Sequence, residues 1–218
     1  LEEHRKRERK RKRGIKIAID GPAASGKTST GLALASYFGC RFLNTGAMYR
    51  AAAWGLLNGY SLEEMDIEIT PSGRVMLGGR DITTEVYTQK IDDYSSEVAA
   101  DPKVRAKLIE LQRKISQEDI VMEGRDIGTV VLKGADVKIF LKGSLEERAR
   151  RRHKERGGCF EEIKAKMRER DIKDSQGFGR LKLANDTIII ETDNKSLEEV
   201  IAEAIQVAED ILRKAGKL

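Results

Sequence analysis

The stretch Gly21-Pro-Ala-Ala-Ser-Gly-Lys-Thr28 has the spacing G-x-x-x-x-G-K-[ST], in which each fixed residue type does a distinct piece of phosphate chemistry. Glycines let backbone N–H groups curl onto an anion, the lysine reaches the β/γ bridge of a nucleoside triphosphate, and the hydroxyl binds Mg²⁺. Gly21, Pro22, Ala23, Ala24, Ser25, Gly26, Lys27, Thr28 and Ser29 are therefore the candidate ATP cradle, with Lys27 as a catalytic cation and Thr28 as the metal-holding hydroxyl. The other residues that could do chemistry are mostly arginines. They stand in NTGAMYR (44–50), EGRDIGTVV (123–131), SLEERARRR (144–152) and RERDIKDS (168–175). Guanidinium groups pair bidentately with phosphate oxygens and neutralise charge on a transferring group, as is needed where an anionic donor meets an anionic acceptor. An acceptor phosphate, with a second pKa of about 6, is already a dianion and needs no general base. The chain offers no Ser–His or Cys–His nucleophile pairing: His4 lies in the tail and His153 in an arginine run.

Among nucleotide-using proteins, a guanine-reading N-K-x-D is missing, because Asn194-Lys195 is followed by Ser196-Leu197. A motor would need a strand ending in acids that activate water, and Glu123 is followed at once by Gly-Arg-Asp, a substrate-binding pattern. A small kinase is the favoured class. Its acceptor could be a phosphorylated small molecule, such as UMP, AMP or another monophosphate, or a non-nucleotide. An ATP-dependent RNA-associated protein using the basic N-terminus is the reading from another class.

The elements that must position these residues follow from the apolar pattern. IKIAI (15–19) reads as a buried strand feeding the glycine loop, and a helix from about Lys27 to Phe38 would pack Leu32, Leu34, Ala35 and Phe38 on a sheet, stopping at Gly39. Further strands are expected at 41–43, 119–122, 137–141 and 187–191, alternating with helices, which implies a parallel α/β sheet. Asp101-Pro102 marks a helix start, and Ser144-Leu-Glu-Glu147 and Ser196-Leu-Glu-Glu199 read as capping boxes. ITPSGRVMLGGRDIT (69–83) carries turn signals around strand-like residues and reads as an inserted hairpin.

The 218 residues can bury one substantial core. The net charge of +5 is supplied by residues 1–13, with eight Lys/Arg against three Glu, so beyond Arg13 acids and bases cancel. The arm is expected to be disordered, and the core is not expected to bind nucleic acid. Cys40 and Cys159 match no ligand spacing, and no apolar run is long enough to span a membrane. A cytoplasmic protein is expected.

IDGPAASGKT, NTGAMYR, EGRDIGTVV, SLEERARRR and RERDIKDS, in this order and spacing, resemble bacterial-type cytidylate kinase over nearly everything after Arg13. The resemblance implies a three-layer α/β P-loop NTPase fold with a central parallel sheet, an inserted NMP-binding subdomain at 60–98 and a short lid at 150–160. It implies transfer of the γ-phosphoryl group of ATP, with Mg²⁺, to CMP or dCMP; a monomer is expected. Carried over residue by residue, Thr45, Arg50, Ser96, Arg105, Arg125, Asp126, Arg170 and Asp174 would bind CMP. Arg125, Arg148 and Arg152 would join Lys27 in catalysis, and Arg148, Arg151 and Arg152 would share one helical face. The chain departs from the family pattern at Gly177, where an arginine is usual and Arg180 could serve instead, and at Glu123, where aspartate is usual.

Overall fold

The structure is a computed structural model describing residues 14–176 and 183–218. The basic arm, Gly177 and Arg180 lie outside the described residues. Strands β1 (Lys16–Asp20), β2 (Arg41–Asn44), β3 (Ile67–Ile69), β4 (Val75–Leu77), β5 (Arg80–Asp81), β6 (Ile120–Gly124), β7 (Val137–Lys142) and β8 (Ile188–Glu191) fall into two sheets. The larger is parallel throughout, in the order β2-β6-β1-β7-β8, with Ile17 opposite both Val121 and Val137. The smaller is antiparallel, β3-β4-β5, so the segment read as a hairpin has three strands.

The helices are α1 (Lys27–Phe38), α2 (Thr45–Leu57), α3 (Gln89–Val98), α4 (Pro102–Ile115), α5 (Leu145–Arg156), α6 (Phe160–Gln176) and α7 (Leu197–Lys214). Strand alternation divides the core between two faces. Ile17, Ile19, Val121 and Ile139 meet Leu34 and Phe38 of α1 and Val200, Ala204, Ala208 and Leu212 of α7. Ala18, Ile120 and Met122 face the opposite way, toward α2, α4 and the small sheet. Both faces of the central strands β1 and β6 being covered, their sequences are dominated by apolar residues.

The expected helix boundaries hold at Gly39, which caps α1 with φ 64°, and at Asp101, whose carboxylate accepts from Lys103 N and Val104 N. Two expectations need correction. Leu32 is 52% exposed, because Thr30, Gly31, Leu34, Ala35 and Phe38 already fill the inner stripe of α1. Ser196 and Glu199 form the reciprocal capping box, whereas Ser144 caps α5 with its hydroxyl while its own N–H donates to Asp193 Oδ1 at 2.9 Å.

Parallel strands deliver their C-terminal ends to one edge. The glycine loop leaves β1 there, Asn44-Thr45 leaves β2 and Glu123-Gly-Arg-Asp126 leaves β6. The chain therefore gathers its arginines and its phosphate loop at a single rim.

Candidate active site

A cleft of about 1090 Å³ opens at that rim. Ala23, Ala24, Ser25, Gly26, Lys27, Thr28 and Ser29 line one part of it. Thr45, Arg50, Ser96, Arg105, Arg125, Asp126, Arg170 and Asp174 line the rest, joined by Arg151 and Arg152. Residues up to 129 positions apart in the chain thus share one wall.

On the loop side, Gly21 is required by close approach: a Cβ there would lie 2.5 Å from the carbonyl oxygen of Leu141 in β7. Lys27 Nζ donates to Pro22 O at 2.5 Å and stands 3.4 Å from Ser25 Oγ, which holds the ammonium inside the curl of the loop. Burial, followed by the nearby Arg125 charge, pushes the Lys27 ammonium well below the usual lysine range. Thr28 Oγ1 donates to Glu123 Oε1 at 2.7 Å. Glu123 is buried at the end of β6, and this burial raises its pKa against the opposing pull of Lys27 and the Thr28 hydroxyl.

Asp20, at the end of β1, accepts from Ile127 N at 2.8 Å and Gly128 N at 2.9 Å, fastening the loop after β6 beside the glycine loop. Burial raises its pKa to about 6 despite those two N–H donors. Thr45 Oγ1 donates to the carbonyl of Glu123 at 2.7 Å, joining the start of α2 to the same strand end.

The arginine-lined side is built from ion pairs between segments distant in sequence. Arg105 of α4 pairs with Asp126, whose pKa is raised by burial against the charge of Arg105. Arg125 Nε donates to Asp174 Oδ2 of α6 at 2.8 Å. Arg50 donates to Asp92 of α3 from Nε at 2.9 Å and Nη2 at 2.6 Å. Arg170 is pushed down to about 10, first by burial and then by the neighbouring Arg125. Ser96 lies on the wall at the far end of α3.

The arginines of α5 part company. Arg148 is buried behind the glycine loop, donating from Nε to Gly143 O at 2.9 Å, from Nη1 to Ala23 O at 3.3 Å and from Nη2 to Asp171 Oδ2 at 2.6 Å. Arg151 Nη2 donates to Thr192 O at 2.5 Å, and Arg152 faces the cleft with Nη1 3.5 Å from Glu155. The three keep the helical face expected for them but meet different partners along it. Arg148 is buried against the loop backbone, while Arg151 and Arg152 line the cleft.

The site also contains residues that motif reading missed. Asp92 gathers Arg50, Arg156 and Arg170. Gln112, 1% exposed on α4, lies at the floor of the cleft beside Tyr49, whose hydroxyl is raised to about 12 by burial against the smaller opposing pull of Arg105. Their partners lie on other elements, so no local spacing announced them.

Comparison with known proteins adds three findings. The family model for cytidylate kinase matches residues 17–210. Cytidylate kinases of Streptococcus pyogenes serotype M5 (strain Manfredo) and serotype M12 (strain MGAS2096) are 40% and 39% identical to the chain over 222 residues, spanning 92% of it and 98% of each relative. Among solved structures, a gluconokinase from Sinorhizobium meliloti 1021 superposes with a TM-score of 0.55 at 16% identity, covering 94% of this chain and 97% of that one. A shikimate kinase from Bacteroides thetaiotaomicron gives 0.50 at 16% identity, covering 91% and 98%. The structural likenesses establish the α/β P-loop fold.

Proposed function

This chain belongs to the cytidylate kinase family and is a phosphotransferase moving the γ-phosphoryl group of ATP to CMP or dCMP, and we propose the following division of labour among its residues. The loop from Gly21 to Ser29 holds the ATP polyphosphate through its backbone N–H groups, and Lys27 neutralises the β/γ oxygens. Its lowered pKa supports this role, since an anionic ligand is what a buried, arginine-flanked ammonium lacks. Arg50, Arg125 and Arg170 bind the acceptor's phosphate and offset the charge that develops between the two substrates. Thr45, bonded to the Glu123 carbonyl, fixes the start of α2 beside that phosphate.

Asp126 and Arg105 read the cytosine edge together with Ser96. Cytosine offers an amino donor beside ring acceptors, which matches a carboxylate next to a guanidinium, while uracil presents the opposite pattern. Asp174 binds the sugar and, through its 2.8 Å bond, orients Arg125. Arg151 and Arg152 belong to a lid at 150–160 that closes over ATP, residues 60–98 form the acceptor-binding insert, and Arg148 sets the Ala23 carbonyl and hence the loop.

The donors at the loop suit Mg²⁺: Thr28 Oγ1 and Glu123 Oε1 are hard oxygen atoms 2.7 Å apart beside the cradle, and such ions take one or two protein oxygens plus substrate phosphates. Bound there, the ion would screen the phosphate oxygens during transfer.

One observation carries the reading: a phosphate loop and a separate arginine-rich wall face each other across one cleft, an arrangement suited to two anionic substrates. A panel of CMP, dCMP, UMP and AMP in a coupled ADP-release assay tests it. CMP or dCMP should accelerate ADP formation above the others; equal or slower rates would overturn the acceptor assignment.

A further inference from the structure

Asp92 lies behind the acceptor wall, 5% exposed, where three arginines of that wall turn back to meet it. Arg50 gives its Oδ1 two bonds, from Nε at 2.9 Å and from Nη2 at 2.6 Å. Arg156 Nη1 donates to Oδ2 at 3.0 Å, and Arg170 Nη1 stands 4.0 Å from Oδ1. These side chains come from α2, the last residue of α5, and α6, while Asp92 belongs to α3. One carboxylate thus joins four helices.

The two bonds to Asp92 use Nε and Nη2 of Arg50 and not Nη1, and Arg50 lines the cleft. Arg50 Nη1 passes over Gly46, where a Cβ would come within 3.2 Å of it, and Gly46 follows Thr45 at the head of α2. The two nitrogens engaged by Asp92 fix the plane of the guanidinium, and the Tyr87 ring, 5.6 Å from the Arg50 guanidinium carbon, covers it. Arg50, Arg156 and Arg170 would repel one another without an anion between them. Burial works against the Asp92 charge, but Arg50 with Arg170 and Arg156 outweighs it and holds the carboxyl below its ordinary range.

We propose that Asp92 is a positioning residue for phosphoryl transfer: it sets the direction in which Arg50 and Arg170 present their donors to the acceptor's phosphate, and through Arg156 it ties the end of α5 to the inserted segment. The inference rests on the reading of Arg50 and Arg170 as phosphate ligands. It assigns a reason for an acid in the midst of residues that bind an anion. Asp92 acts on the reaction through those arginines, from behind, and need not touch the substrate.

The test compares CMP with cytidine, which keeps base and sugar but has no phosphate, by calorimetric titration of the full chain, its Asp92→Asn, Asp92→Glu and Arg156→Gln variants, and the Asp92→Asn/Arg156→Gln double variant. Asp92→Asn should weaken CMP about tenfold or more while changing cytidine less than about twofold, because charge-assisted bonds to phosphate depend on guanidinium direction. Asp92→Glu should restore part of the loss, and Arg156→Gln should add little on top of Asp92→Asn. Equal losses for CMP and cytidine would reduce Asp92 to a fold contact, and tighter CMP binding would make it a competitor of the phosphate; either overturns the proposal. If the asparagine variant does not fold, the same CMP-to-cytidine ratio in Asp92→Glu and Arg156→Gln decides. A wild-type chain whose ADP release CMP fails to accelerate would overturn the acceptor assignment itself, a result separate from any pattern among the variants.

Discussion

Asp126 and Asp20 are both buried carboxylates near the reaction, yet they are held differently and should fail differently. Asp126 faces the cleft and pairs with Arg105, so Asp126→Ala should raise KM for CMP by about ten- to a hundredfold, the equivalent of one charged hydrogen bond. Steady-state kinetics with CMP and UMP check it: the CMP preference should shrink, and equal loss for every monophosphate would contradict base reading. Asp20 bonds backbone N–H groups, and its pKa is raised from 3.8 to about 6 by burial. A raised carboxylate pKa means the folded chain holds the proton more tightly than the unfolded chain. The resulting stabilisation is full below about pH 4 and is lost as pH rises through about 6, a swing on the order of 3 kcal/mol. Urea midpoints across that range should fall less steeply with rising pH in Asp20→Asn than in the wild type. The role of Asp126 was legible in the GRD stretch, but that of Asp20 was not, since Asp20 and Gly128 are far apart in the chain and meet only where β1 and β6 end side by side.

At the scale of the element, α5 shows how equal spacing can hide unequal surroundings. Arg148, Arg151 and Arg152 repeat at three and four residues, and sequence alone put them on one face. The face holds, but its neighbours differ along it: α6 brings Asp171 to Arg148, and the residue after β8 brings Thr192 to Arg151. Arg148→Met should therefore destabilise the fold by about 3 kcal/mol, because it leaves Asp171 and the carbonyls of Gly143 and Ala23 without their shared donor. Thermal melts check the stability, and the KM for ATP should rise with it as the Ala23 carbonyl loosens. Helix α1 gives the converse case. Its existence, start and stop were legible from Lys27 to Gly39, but its inner stripe was misread at Leu32, since which of several apolar residues turns inward depends on what α7 and the sheet offer.

For the molecule as a whole, charge separates the arm from the catalytic body. Residues 1–13 carry the entire net charge of +5, so removing them should leave turnover of CMP within about twofold of the full chain and should reduce any salt-sensitive polyanion binding. Loss of activity together with RNA binding would instead support a working role for the arm. The strands and the glycine loop could be read directly because each is a contiguous run whose meaning is local: an apolar stretch covered on both faces, and glycines beside a lysine and a hydroxyl. Resemblance across TGAMYR and GRDIGTVV then supplied the family, which the match over residues 17–210 establishes. The pairings were left to the tertiary structure: Arg50 with Asp92, Arg105 with Asp126, Arg125 with Asp174, and Arg148 with Asp171. An ion pair is set by distance in space and by the water that packing removes, and neither quantity is written in the order of residues along a chain.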